Sequence, residues 1–144
     1  LFDKIKGKEN IALIGFTTDG DVFGGFYSVA MTEQDRLYND HNIFAFSFES
    51  HGRCETPRRF AVKERLKEKA VVKFFKNDNK GFVIFWVSSV CGFWLGNERS
   101  NAFCWNMSRG FEGIEDTTLS GQNNTDYRNP PYHHCTRLVA VQLS

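Results

Sequence analysis

Two apolar runs, Ile11 to Phe16 and Val22 to Tyr27, are separated by Thr17-Thr18-Asp19-Gly20-Asp21, and no other stretch restricts the folding of this chain so tightly. Asp-Gly between hydrophobic runs is a strong hairpin signal, because both central positions tolerate positive φ. An antiparallel pair of strands with Asp19-Gly20 at its tip follows. The same glycines invite a phosphate-loop reading, which their spacing rejects. A Walker loop needs G-x-x-x-x-G-K-[ST], and Gly20 to Gly25 supplies neither the lysine nor a following helix. A dinucleotide fingerprint needs G-x-G-x-x-G opening a helix, whereas "GDVFGG" has the wrong spacing and runs into a strand. Gly24 and Gly25 are therefore expected as close-approach positions that hold no ligand.

The remaining chain reads the same way. "LFDKIKGKEN" places Leu1, Phe2 and Ile5 on the packed side of a short leading helix that Gly7 can end. "TEQDRLYND" has a capping Thr and early acids, which suggests a short helix or a structured loop. In "NIFAFSFES" the rings of Phe44, Phe46 and Phe48 alternate with Ile43, Ala45 and Ser47, so the large side chains share one face and are expected to cover the core. "RFAVKERLKEKAVVKFF" divides into strand, charged connection and strand, with "KNDNKG" as a turn after it. "FVIFWV" is expected as a fully buried strand, "GFWL" as a shorter one after a break at Gly92, and "NAFCW" as another. Residues 106–134 read as a long irregular segment before a last strand, "TRLVAVQL". Fifteen Phe against three Pro fit a ring-rich sheet. The fold expected is mainly β: a single domain over 1–144, built as a two-layer antiparallel β-sandwich with a few short peripheral helices.

Charge narrows the partners. The net formal charge is +1, yet residues 53–80 carry ten Lys or Arg against four Asp or Glu. Such an island suits either electrostatic binding or an edge strand protected from pairing. Arg58, Arg59, Lys63, Arg65, Lys67 and Lys69 are the candidate partner-binding residues, with Lys73, Lys76 and Lys80 beyond them. No apolar run reaches 18 residues, and no signal peptide or initiator Met is present, so a cytoplasmic domain cut from a longer protein is expected, with no membrane insertion.

Chemical motifs are sparse. Cys54, Cys91, Cys104 and Cys135 lack disulfide-framework spacing and are expected to be reduced, with Cys91 and Cys104 as small core residues. His51-Gly52-Arg53-Cys54 and His133-His134-Cys135 each bring imidazole near thiol, but without a C-x-x-C pair they do not make a zinc pattern. Cys135 with His133 or His134 is the one nucleophile–base candidate, and it sits in no recognisable motif. The sequons at Asn106 and Asn123 matter only in a secreted protein. No cofactor, metal or small-molecule substrate is expected, and the chain reads as non-enzymatic.

The order Asp19-Gly20-x-x-Phe23-Gly24-x-Phe26, then "NIFAFSF" with Phe44, Phe46 and Phe48, then "GFWLGN", resembles the TLDc domain family. The likeness runs from about Ile11 to Leu143 and departs from the family where a run of glycines is reduced to Gly92. What the resemblance implies is a β-sandwich without a cofactor, acting through a protein partner. It also implies a link to oxidative-stress protection or to regulation of the vacuolar-type proton pump. The alternative from the residues themselves is a nucleic-acid-binding module that uses the basic island at 53–80.

Overall fold

Backbone pairing extends the Asp19-Gly20 hairpin on both sides into a ten-strand antiparallel order. A computed structural model describes residues 1–76, 82–96, 101–124 and 133–144, with 101 and 133 described for their backbone only. A one-turn helix, α1 (Phe2–Ile5), leads into β1 (Ile11–Thr17) and β2 (Val22–Tyr27). There follow β3 (Tyr38–Asn39), β4 (Phe44–Glu49), β5 (Arg58–Ala61), β6 (Ala70–Phe74), β7 (Val83–Val87), β8 (Cys91–Leu95), β9 (Asn101–Trp105) and β10 (His133–Gln142). Hydrogen bonding runs β3-β6-β7-β8-β9-β10-β1-β2-β4-β5. This order folds over at the short β9–β10 pairing, giving two five-stranded antiparallel layers packed together: a β-sandwich. The turn expected at "KNDNKG" lies outside the described residues apart from Lys76.

The hairpin forms as expected, with one difference. Gly20 alone takes positive φ (85°), and its N–H donates to the Thr17 carbonyl at 3.0 Å. Thr17 N–H then donates to the Asp21 carbonyl, so a longer loop with one left-handed glycine replaces a two-residue turn. The two glycines of β2 do different jobs. An added Cβ on Gly25 would lie 2.6 Å from Cζ of Phe85 and 2.8 Å from Cζ of Phe93, rings that come from the opposite layer. One on Gly24 would meet the Leu13 carbonyl oxygen and, at 2.8 Å, Cζ of Phe46. Gly25 thus sets the approach of the layers, while Gly24 lets the neighbouring strand and the Phe46 ring lie close.

The core between the layers holds Leu13, Phe23 and Tyr27 from one sheet and Phe74, Phe85, Phe93 and Leu95 from the other, all fully buried. Phe85 and Phe93 stack with centroids 4.8 Å apart. Four expectations are overturned here. First, Phe44, Phe46 and Phe48 do not cover this core: Ala45 and Ser47 point inward and the three rings lie on the outer face, with Phe48 47% exposed. Second, Val83–Val87 is not fully buried, since Ile84 and Trp86 alternate outward. Third, the break before "GFWL" is the Ser88-Ser89 turn, both residues at positive φ, and Gly92 lies inside β8 beneath Trp86. Fourth, Leu1 is exposed while Phe2 and Ile5 are buried.

The stretch from Thr32 to Asp40 forms a structured loop with the two-residue β3 and no helix. Asp40 holds it by accepting from Ser28 N–H and Oγ–H and from Asn42 N–H. The charged connection after β5 is a 3-10 helix, Glu64–Lys69, anchored by buried Leu66. Met107, Phe111, Ile114 and Leu119 bury apolar anchors from the irregular segment, more than its polar composition suggests.

Ser47 Oγ is buried and has no hydrogen-bond partner among the described residues. A stranded hydroxyl costs its lost hydration, so Ser47→Ala is expected to raise folding stability by about 1 kcal/mol. Chemical denaturation checks this: a midpoint at or below wild type would show that the hydroxyl is satisfied.

Candidate interaction surface

The rings that turned outward build a trough across the outer face of the β10-β1-β2-β4-β5 layer. In register, Ala12 pairs with Phe26 and Phe26 with Phe44, while Ile14, Gly24 and Phe46 form the next row. Phe26 and Phe44 stack at 4.7 Å, and Phe46 tilts against Phe48 at 5.0 Å. Because Gly24 has no side chain, the Phe46 ring lies low and leaves a depression beside it. Ala12, Ile14, Phe46, Phe48, Val141 and Leu143 line a cavity of about 330 Å³ there. Among the described residues, three of the five exposed large hydrophobics, Phe48, Val141 and Leu143, meet at this one place. Apolar side chains gathered on an exposed face are costly to leave wet, and that cost is recovered when a partner covers them.

Edge strand β5 forms the far wall. Arg59 points onto the trough, its guanidinium 5.3 Å from the centre of the Phe44 ring. Arg58, one residue earlier, also borders the cavity, and its guanidinium lies over Phe60 at 5.1 Å and beside Gly113. Among the described residues no carboxylate pairs with either arginine. The other members of the basic island go elsewhere. Lys67 is paired with Glu64 at 2.9 Å, Arg65 is exposed on the same 3-10 helix, and Lys63 is half-buried where its N–H donates to the Gly110 carbonyl. Lys69 lines a separate groove on the opposite layer. The island is thus continuous in sequence and divided in space. Sequence reasoning singled out Arg59 but missed Val141, at the end of β10, and Leu143 just beyond it, whose alternation carries no sign of which face is covered.

A second cluster sits at the hairpin tip. Asp21 is almost completely buried and receives Arg53 Nη2 at 2.5 Å and His51 Nδ1 at 2.8 Å. Arg53 also donates to the carbonyls of Thr118 (3.0 Å) and Leu119 (3.1 Å). The cluster therefore ties the β1–β2 turn, the β4–β5 loop and the 118–121 turn together. No described hydroxyl or thiol hydrogen-bonds to the imidazole. His51 and Cys54, close in sequence, do not face one another: His51 is turned to Asp21, and Cys54 lies against Ser50. Among the described residues no group of three His, Cys, Asp or Glu could hold a metal ion.

The thiols are all free. Burial pushes Cys91 and Cys104 from an ordinary value of 9.0 up to about 12, and raises Cys135 as well. Cys135 donates its S–H to the Arg137 carbonyl, while the neighbouring His134 is exposed on the opposite face of β10, so the two are not within reach of each other. The side chain of His133 lies outside the described residues.

A raised thiol pKa has a stability consequence. Between pH 9 and about 12 the unfolded chain releases protons that buried Cys91 and Cys104 retain, so stability falls as pH rises through that window and is complete below it. The expected slope approaches about 1.4 kcal/mol per pH unit for each thiol. Denaturation curves at pH 8, 9 and 10 on wild type and on Cys91→Ala/Cys104→Ala check it: equal slopes in the two proteins would refute the assignment.

No protein-family model matches the chain, and no curated protein matches it. Among the described residues no helix is long and apolar enough to cross a membrane.

Proposed function

We propose that the chain is a non-enzymatic, cytoplasmic protein-interaction domain of TLDc type, linked to oxidative-stress protection or to regulation of the vacuolar-type proton pump. Its docking site is the aromatic trough with the neighbouring edge strand. The observation that carries this reading is the meeting of exposed Phe48, Val141 and Leu143 beside the guanidinium of Arg59, which has no carboxylate partner among the described residues. An apolar centre bordered by Arg is the composition that protein interfaces favour, and a shallow open trough suits a protein surface better than an enclosed small molecule. The alternative, nucleic-acid binding by residues 53–80, draws less support. A phosphate backbone is followed by cations on one track, and here Lys69 lies on the opposite layer from Arg58 and Arg59, while Lys67 is paired with Glu64.

The test is binding of the purified peripheral sector of a vacuolar-type pump to the immobilised domain. The expected result is saturable binding that Phe48→Ser with Arg59→Glu weakens at least about tenfold, a loss of ~1.4 kcal/mol. No binding, or binding untouched by that variant, overturns the reading. Binding of single-stranded DNA that falls steeply with added salt would favour the alternative.

A further inference from the structure

The opposite face of the sandwich carries a larger groove, and it is built differently. Along β6, Ala70, Val72 and Phe74 enter the core, so Val71 and Lys73 point outward, continuing the side on which Lys69 stands. Across the ladder Val71 pairs with Trp86 and Lys73 with Ile84. Leu37, 59% exposed, closes one side of a cavity of about 590 Å³. Among the described residues neither Lys69 nor Lys73 has a carboxylate partner, and Lys73 Nζ lies over the Phe75 ring at 5.1 Å. Two uncompensated ammonium groups thus flank an apolar floor. Three residues of extended chain, 70–72, lie between them, a rise of about 13 Å over the four steps.

We propose that this groove receives an extended segment of a partner protein with the pattern acidic, any, apolar, any, acidic. The charge and spacing argue for that occupant. A strand lying over a sheet runs within about 30° of the strands below, and its alternate side chains point down with the same repeat as the sheet's own. Acids at the first and fifth positions then meet Lys69 and Lys73, and the third side chain drops onto Val71, Ile84 and Trp86. The segment lies on the face and does not join the sheet edge, because residues 35–40 already cover the edge of β6. Asp35 N–H donates to the Phe74 carbonyl at 2.7 Å, and Asp40 N–H to the Ala70 carbonyl at 3.0 Å. A fatty acid has one carboxylate for two lysines. Stacking of bases is disfavoured because Trp86 already stacks on Trp105 at 5.2 Å and Trp94 on Phe103 at 4.1 Å. This surface is separate from the Arg59 trough and stands whether or not that site docks a pump.

The test is an NMR titration of the domain with the end-blocked peptide Ser-Glu-Ser-Leu-Ser-Glu-Ser, its Ser-Lys-Ser-Leu-Ser-Lys-Ser counterpart, and oligothymidylate. The acidic peptide is expected to shift the amides of Val71, Lys73 and Ile84 and the indole of Trp86 saturably. Lys69→Glu/Lys73→Glu should weaken it about tenfold and make the lysine peptide the better ligand. Leu37→Ser, at an exposed position, should weaken the acidic peptide without reversing the preference. Equal response to both peptides on wild type, no saturable shifts, shifts confined to the other layer, or tighter binding of oligothymidylate would each overturn the proposal.

Discussion

Gly24→Ala is expected to cost about 3 kcal/mol of folding stability, lowering Tm by ~10 °C, and Gly25→Ala nearly as much. The reasons differ. At Gly24 the new carbon meets a backbone atom, the Leu13 carbonyl oxygen, so β1 and β2 must separate to admit it. At Gly25 it meets Phe85 and Phe93, which are fully buried and already stacked on each other, leaving neither ring room to retreat. Alanine restricts the unfolded chain more than glycine does, which offsets only about 0.5–1 kcal/mol. Gly52→Ala is the control: nothing lies within 4 Å of its added carbon, and only its φ of 82° resists, so about 1 kcal/mol is expected. Thermal and urea denaturation of the three variants check the order. If Gly25→Ala costs no more than Gly52→Ala, the layers do not meet at that residue.

The second large effect is expected at Arg53. Replacing it with Met leaves Asp21 buried with only the half-exposed His51, and removes the donors to the Thr118 and Leu119 carbonyls. Breaking a buried ion pair from one side costs about 3–5 kcal/mol, and the partial exposure of Arg53 reduces this to about 2–3 kcal/mol. His51→Ala should cost under about 1 kcal/mol, since that side chain is half in water. The double variant Asp21→Asn/Arg53→Met should recover part of the loss, because the unpaired charge is gone. A double variant as unstable as the sum of the two singles would show that the pair is not coupled.

Local signals in the sequence located nearly all of the strands, and tertiary packing decided what local signals could not. The first hairpin was legible because Asp19-Gly20 separates two apolar runs, and Gly24 and Gly25 were legible as packing positions because they interrupt a strand. The facing of β4 was not. Its alternation places three rings on one side, and larger side chains are ordinarily the buried ones. Here the inner side is limited by rings from the other layer: Gly25 pairs with Ala45 in register, and Phe85 comes up against Gly25, so small residues fit inside and Phe44, Phe46 and Phe48 are turned out. The Ser88-Ser89 turn was missed because neither residue is a usual one for positive φ. The basic residues were found as a sequence run. Their division among the β5 wall, the 3-10 helix and the Lys69 groove depends on strand alternation and on the fold-over of the two layers.

The trough depends on which way β4 faces, so the decisive measurement is the set of nuclear Overhauser contacts made by the Phe46 ring. Contacts to Gly24, with Gly25 Hα seeing the rings of Phe85 and Phe93, are predicted. Contacts from Phe46 to Phe85 or Phe93 would place the phenylalanines of β4 between the layers and contradict the interaction surface derived from them.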